Sequence, residues 1–93
     1  MIATVMLRDL PNGYTLKRPI TLFIEHVGSV FIADAAELDF PHSISDTPEE
    51  AVENYRWALA DYYEWLREHR DELQPHLVEQ LVALEEFVEK KND

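Results

Sequence analysis

The chain has 93 residues, of which 46% are hydrophobic and only two are glycine, so one modest core is feasible and a disordered chain is excluded. Cysteine is absent, which excludes a disulfide framework and thiolate chemistry. Nineteen acidic and eight basic side chains give a net charge of −11, which repels nucleic-acid phosphates and attracts basic proteins, or serves solubility alone. We therefore expect no direct nucleic-acid binding.

Membrane insertion is not expected either. No apolar run approaches the roughly 20 residues that span a bilayer. The start, MIATVMLRDLP, carries Arg8 and Asp9 too early for the apolar core of a signal peptide. We expect a soluble, cytoplasmic chain that forms a single domain over residues 1–93.

Residues 1–19 are predicted to form an N-terminal extension of that domain. It opens with the strand-like run IATVML and continues into LPNGYTL, where Pro-Asn-Gly predicts a turn because Asn and Gly tolerate positive φ. The segment is either a hairpin of its own or one strand with a loose connection, and the sequence leaves both open.

The predicted core covers residues 20–73 and begins with a β-hairpin. Two runs rich in β-branched and aromatic residues, PITLFIEH and SVFIADA, flank VGS, which predicts an antiparallel pair with Gly28 in its turn. The pleat places Ile20, Leu22 and Ile24 together on one face of the sheet.

The hairpin is followed by a strand-to-helix joint with clear local chemistry. Ser43–Ser45 predicts a short third strand. Thr47 is the expected N-cap, Pro48 falls at the first helical position, and Glu50 completes a Thr-x-x-Glu capping box. These residues predict a helix that starts at position 48.

The helical part of the chain is predicted to break at Gln-Pro. The first helix should run to about Leu73, because Pro75 disfavours helix at Gln74. A second helix should run from Pro75 to about Lys90, within a C-terminal segment at residues 75–91. The predicted fold class is therefore α+β: a small antiparallel sheet of about three strands packed on a long helix, followed by a second C-terminal helix.

The first helix carries one apolar stripe and two tryptophans outside it. The stripe, expected to lie on the sheet, consists of Val52, Tyr55, Leu59, Tyr62, Tyr63 and Leu66. Trp57 and Trp65 lie about 130–170° away on an acidic side with Asp61, Glu64 and Glu68. Two exposed indoles there need to be covered. The favoured interpretation is a cover by the chain's own second helix or by a homodimer partner, and the alternative is a cover by a different chain. We expect self-association, as a homodimer or a higher homo-oligomer.

No pattern of catalytic or metal-binding residues stands out. The four histidines lack the spacing of a metal pair. Asp34, Glu37 and Asp39 form a carboxylate trio that can hold a divalent cation or do acid/base work, although such a group is more often a solvated loop. We expect no enzyme activity, no cofactor and no metal.

The stretch from Ile20 to Leu59 resembles the HicB-like antitoxins of prokaryotic toxin–antitoxin pairs. The hairpin, the loop with Pro41 and above all DTPEEAVEN carry the resemblance. It implies a three-stranded sheet packed on a helix, in a partial fold of the double-stranded-RNA-binding type. The chain differs from many members because it lacks Gly-Cys after Pro41. The short, acidic segment after the helix break leads us to expect no C-terminal DNA-binding module. It is similar to a short member of the family.

The resemblance implies an antitoxin that binds and masks a small basic RNA-cleaving toxin of the HicA type, by steric and electrostatic means. The first alternative is an orphan relative that acts as a homo-oligomeric scaffold or adaptor without a toxin. The second is a small metal-dependent enzyme that uses the carboxylate trio. Residues predicted from their exposure to contact a partner are Trp57, Asp61, Glu64, Trp65, Glu68, Asp39 and Phe40.

Overall fold

A computed structural model describes residues 2–38 and 41–90 of the chain. The elements in chain order are β1 (Ile2–Leu7), β2 (Tyr14–Leu16), β3 (Ile20–Val27), β4 (Val30–Ala35), β5 (His42–Ser45), α1 (Pro48–Glu68), a 3-10 helix (Arg70–Glu72), α2 (Pro75–Glu85) and β6 (Val88–Lys90). This arrangement confirms the predicted α+β class, with a sheet on a long helix and a second helix after it.

The main sheet is antiparallel and has four strands in the order β1-β3-β4-β5. Three of them, β3, β4 and β5, are the strands of the predicted sheet, and β1 is the strand-like run of the N-terminal extension. The fourth, β1, pairs with β3 so that Leu7 lies opposite Ile20 and Val5 lies opposite Leu22. Twelve residues separate the two strands along the chain, so no local sequence pattern predicts that they pair.

The N-terminal extension does not form a hairpin of its own. Its predicted turn is present, with Asn12 at φ 63° and Gly13 at φ 80°. The strand after the turn, however, pairs with β6 in a separate two-stranded antiparallel sheet, where Tyr14 lies opposite Lys90. The two strands that flank the turn therefore belong to different sheets.

The β3–β4 hairpin confirms the sequence prediction. Val27 pairs with Val30 at its end, and Gly28 adopts φ 61° in the turn, a left-handed conformation that costs glycine nothing. Ile20, Leu22 and Ile24 are 0%, 0% and 3% exposed on the face that α1 covers.

The start of α1 confirms the predicted Thr47 cap and Pro48 position, whereas the capping box is incomplete, because Glu50 bonds to the Thr47 hydroxyl and not to the Thr47 backbone N–H. The Thr47 side chain accepts a hydrogen bond from the Glu50 backbone N–H at 3.1 Å, and its hydroxyl donates to the Glu50 carboxylate at 3.0 Å. Pro48 occupies the first turn. Within the predicted stripe, Tyr55, Leu59, Tyr63 and Leu66 are buried, and Val52 and Tyr62 are half-buried.

Both predicted helix ends are wrong. α1 ends at Glu68 rather than near Leu73, because the backbone turns into a 3-10 helix after His69. α2 begins at Pro75 as predicted but ends at Glu85 rather than near Lys90. Val88 continues the apolar period of α2 in the sequence, but in the structure it belongs to β6, which pairs with β2. Its side chain is 1% exposed there, so it is buried as part of a strand and not of a helix.

The core lies between α1, the facing side of the main sheet, and α2 with the small sheet. Apart from the tyrosines, Ser43 is the one residue with a polar side chain among the buried residues of the described part of the chain. Neither helix within the described ranges is long and apolar enough to cross a membrane.

Candidate functional site

The joint between β5 and α1 determines which side of the helix faces outwards. The Ser43 hydroxyl donates to the Ala51 carbonyl at 2.6 Å, and the Asn54 side-chain amide donates to the Ser45 hydroxyl at 2.5 Å. Each of these bonds joins β5, before the Thr47 cap, to α1, after it, and together they fix the rotation of α1 about its axis. With the Tyr55 side on the sheet, the opposite side has to face away from the core.

Five of the seven predicted partner-contacting residues lie together on that opposite side, which we call the outer face of α1. Its members are Trp57, Asp61, Glu64, Trp65 and Glu68. At 1.5 Å per residue they extend over about 16 Å of the helix axis. Trp57 is 46% exposed and Trp65 is 45% exposed, while Glu64 is half-buried. The outer face is therefore a continuous strip in which indoles alternate with carboxylates.

One half of the favoured interpretation, that the chain's own second helix covers the tryptophans, is wrong. α2 lies beside α1 and packs there through Leu81 and Leu84, and the Tyr62 hydroxyl donates to the Gln80 side chain at the helix contact. The turn of the chain after His69 sends α2 to the Tyr62 side of α1. Both indoles are left open, and a cover by another chain stays a prediction.

The Trp57 ring is held in place by a short chain of polar contacts. Its indole N–H donates to Glu53 at 3.0 Å. Glu53 in turn accepts two bonds from Arg56, at 2.7 and 2.9 Å, and Arg56 also contacts Asp9 at 3.2 Å. The hydrogen bond from Arg56 holds the pKa of Glu53 below its usual value. The ring is thus oriented before any partner arrives.

Trp65 is oriented by a different contact. Its ring stacks on the His69 imidazole, with centroids 4.4 Å apart and planes 24° apart. The His69 Nδ1 also lies 2.8 Å from the Trp65 carbonyl oxygen. This hydrogen bond locks the histidine at the end of α1 and supports one side of the indole. The other side of the ring stays available for contact.

Two of the three carboxylates on the outer face have no partner in the described part of the chain. Asp61 and Glu68 form no hydrogen bond or ion pair there, whereas Glu64 accepts a bond from the Asn12 side chain at 3.3 Å. Carboxylates beside exposed aromatic rings provide the contacts that Arg and Lys make most strongly, namely charge-assisted hydrogen bonds and cation–π contacts.

The remaining predicted site residues do not join this surface. Asp39 and Phe40 lie outside the described residues. Of the carboxylate trio, Asp34 bonds to the His42 imidazole, and Glu37 accepts the Thr21 backbone N–H at 3.1 Å. No group of three possible metal ligands occurs within the described ranges.

Tyr55 is buried between α1 and the main sheet, close enough to Asp34 and Glu37 for their charges to affect its hydroxyl. Burial raises its pKa, and the negative charges of Asp34 and Glu37 raise it further. Their effect is to keep a buried phenol neutral.

Sequence reasoning missed a second open surface, on the face of the main sheet away from α1. Met6, Phe23 and Ile44 are 43%, 41% and 62% exposed there. The signal was present in the alternation along β3, which predicts one buried face and places Phe23 on the other. Nothing in that pattern reveals that no helix covers the second face.

Comparison of the chain with models of protein families, with curated proteins and with solved structures gives no match. The resemblance to HicB-like antitoxins therefore stays a prediction from the residues between Ile20 and Leu59.

Proposed function

We propose that this chain is a cytoplasmic protein-binding domain, and not an enzyme, that binds and masks a small basic protein with the outer face of α1. The partner that the family resemblance implies is an RNA-cleaving toxin of the HicA type. The observation that carries the proposal is the strip of two pre-oriented, half-exposed tryptophans beside two carboxylates, Asp61 and Glu68, that have no partner within the described residues.

Recognition by this surface would combine two kinds of contact. A guanidinium placed over the free side of an indole gains about 0.5–2 kcal/mol from the cation–π interaction, depending on how far it is desolvated. The same group can then donate to Asp61 or Glu68, and bonds between ionised partners are about twice as strong as neutral ones. Because the rings are already oriented, little side-chain freedom remains to be lost on binding.

The net charge supports the masking mechanism. A protein that cleaves RNA needs a positive surface for the phosphates, and a chain of net charge −11 competes for that surface. Long-range attraction speeds the encounter and weakens as salt is added. Inhibition of the toxin would need no chemistry from this chain, since occupation of the surface is sufficient.

A second candidate, a homo-oligomeric scaffold without a toxin, is supported by a different surface. The open face of the main sheet exposes the large apolar side chains of Met6, Phe23 and Ile44, and apolar surface of this kind can mark an interaction site. In that case the tryptophans are also expected to be buried between identical chains. Tryptophan fluorescence that shifts to the blue as the concentration of pure protein rises would favour this candidate.

The test of the first proposal is recovery of a partner from the native host with the tagged chain and three variants. Wild type is expected to retain a small basic protein in near-equal amount, and high salt is expected to release it. Trp57→Ala and Asp61→Lys are expected to lose it. Glu79→Lys is the matched control, because Glu79 is exposed on α2 and the substitution changes the net charge as much as Asp61→Lys does.

The recovered protein is then tested for RNA cleavage with and without added chain. Inhibition by wild type and by Glu79→Lys, but not by Asp61→Lys, is the expected result. The proposal fails if no basic protein is recovered, or if Trp57→Ala and Asp61→Lys retain it as well as the control does.

A further inference from the structure

β1 is an edge strand with one free side. It pairs with β3 along its whole length, and no strand within the described residues pairs with its other side. In an antiparallel ladder the backbone groups of alternate residues point to the same side. Of the six residues of β1, about three therefore direct their N–H and C=O groups away from the sheet.

The edge lacks the features that keep sheet edges from pairing with another chain. β1 reads IATVML, with no charged residue and no proline, and its register with β3 runs from Ile2 to Leu7 without a bulge. Natural edges are normally protected by a lysine, a proline, a bulge or short length. The opposite edge, β5, is shorter, with four residues, and carries His42. β1 is thus the better template for strand addition.

An apolar groove runs beside this edge on the helix side of the sheet. Its lining includes Ala3 and Val5 of β1, Ile24 of β3, and Pro48 and Val52 of α1. It continues past Ala3 to the stacked rings of His26 and Phe31. The groove exists because α1 lies over β4 and β5 and leaves the β1 side of the sheet uncovered.

We propose that β1 pairs antiparallel with β1 of a second copy of this chain, joining two main sheets into one of eight strands. The strand is complementary to itself. A two-fold axis at Thr4 places Thr4 opposite Thr4 and Ala3 opposite Val5, and threonine pairs and apolar pairs are favourable across strands. The grooves of the two copies then meet along the seam.

A second copy suits this edge better than a basic partner does. Two copies of net charge −11 repel each other, so they can meet only where carboxylates do not face one another. β1 itself carries no charged residue, and the carboxylates beside it, Glu25 opposite Ile2 and Glu49 in the groove lining, belong to other elements. Conversely, an uncharged strand offers nothing that would select a basic partner. Pairing through β1 leaves the outer face of α1 open in both copies, so the proposal does not depend on the proposed function.

The test uses two charge variants at Thr4, an exposed position in the centre of β1. Sedimentation equilibrium from about 10 μM to 1 mM, where interfaces of modest area dissociate, is expected to show wild type passing from 10.9 kDa to twice that mass. Thr4→Lys and Thr4→Glu place like charges opposite each other and should each weaken the dimer about fivefold or more. An equal mixture of the two should restore the dimer, because opposite charges then face each other.

The control is the same pair of substitutions at Ile44, on the other edge strand. Ile44→Lys and Ile44→Glu should leave the dimer unchanged, and far-UV circular dichroism should report the same fold for all four variants. Amide hydrogen exchange of residues 2–7 should slow as the protein concentration rises. Wild type that stays monomeric at 1 mM overturns the proposal. So does a dimer that the Ile44 variants disrupt and the Thr4 variants do not.

Discussion

The joint between β5 and α1 can be weakened by removing one hydroxyl group. Ser43 is 7% exposed, and its hydroxyl donates to the Ala51 carbonyl at 2.6 Å. Ser43→Ala removes the donor without stranding the acceptor, because the Ala51 carbonyl keeps the intrahelical bond it makes within α1. The loss is therefore that of one net hydrogen bond, about 1 kcal/mol, and not the larger cost of an unsatisfied buried group.

A second substitution tests whether the joint behaves as the sum of its parts. Thr47→Ala removes the N-cap that accepts the Glu50 N–H, which costs about 1 kcal/mol. The double variant should lose about 2 kcal/mol in the free energy of unfolding. For a domain of this size that lowers Tm by about 8–16 °C.

Urea and thermal unfolding followed by far-UV circular dichroism give these values directly. Ser29→Ala is the matched control, because Ser29 is exposed in the β3–β4 turn and its loss should change stability by less than about 0.5 kcal/mol. A loss above about 3 kcal/mol for Ser43→Ala alone would contradict the reasoning, since it would mean that the Ala51 carbonyl is left without a partner. No loss at all would mean that the bond does not form.

Two further predictions concern pH. Burial raises the pKa of all four tyrosine hydroxyls, that of Tyr55 most. The stability that the neutral phenols contribute should therefore be fully present below the unfolded pKa of about 10 and be lost as the pH rises above it. Absorbance at 295 nm should then show the tyrosinate of Tyr55 appearing only together with unfolding, and ionisation of all four tyrosines in a folded chain would contradict this. The hydrogen bond from Arg56 lowers the pKa of Glu53, so the ionised Glu53 should contribute to stability above about pH 4, and this contribution should be lost as the pH falls through the lowered pKa. Urea unfolding at pH 7 and at pH 3 should therefore show a smaller loss of unfolding free energy on acidification for Glu53→Gln than for wild type. Equal losses would refute this prediction.

Much of the fold was predictable because its signals are local. The β3–β4 hairpin depends on a glycine in the turn between two β-prone runs, and the start of α1 depends on a cap, a proline and a carboxylate within four residues. The stripe on α1 follows from the 3.6-residue period. Each of these features needs no knowledge of distant residues, and each is present in the structure.

The features that could not be predicted depend on distant partners. The pairing of β2 with β6 joins Tyr14 to Lys90, and no pattern near either residue indicates the other. Phe87 and Val88 continue the apolar period of α2, so the same residues are consistent with a helix and with a buried strand. Periodicity also placed Trp57 and Trp65 on an outward side, but it cannot tell where a second helix will lie.

The small β2–β6 sheet has a consequence for how the chain folds during synthesis. Leu16 lies opposite Val88, and the Lys17 N–H donates to the Phe87 carbonyl at 2.7 Å. A ribosome must therefore have released β6 before β2 can find its partner, while β1, β3 and β4 can assemble much earlier. Contacts this distant in sequence slow folding. Until the sheet closes, Tyr14 lacks its neighbouring strand, so a nascent chain that stalls after α2 would expose apolar surface that chaperones recognise.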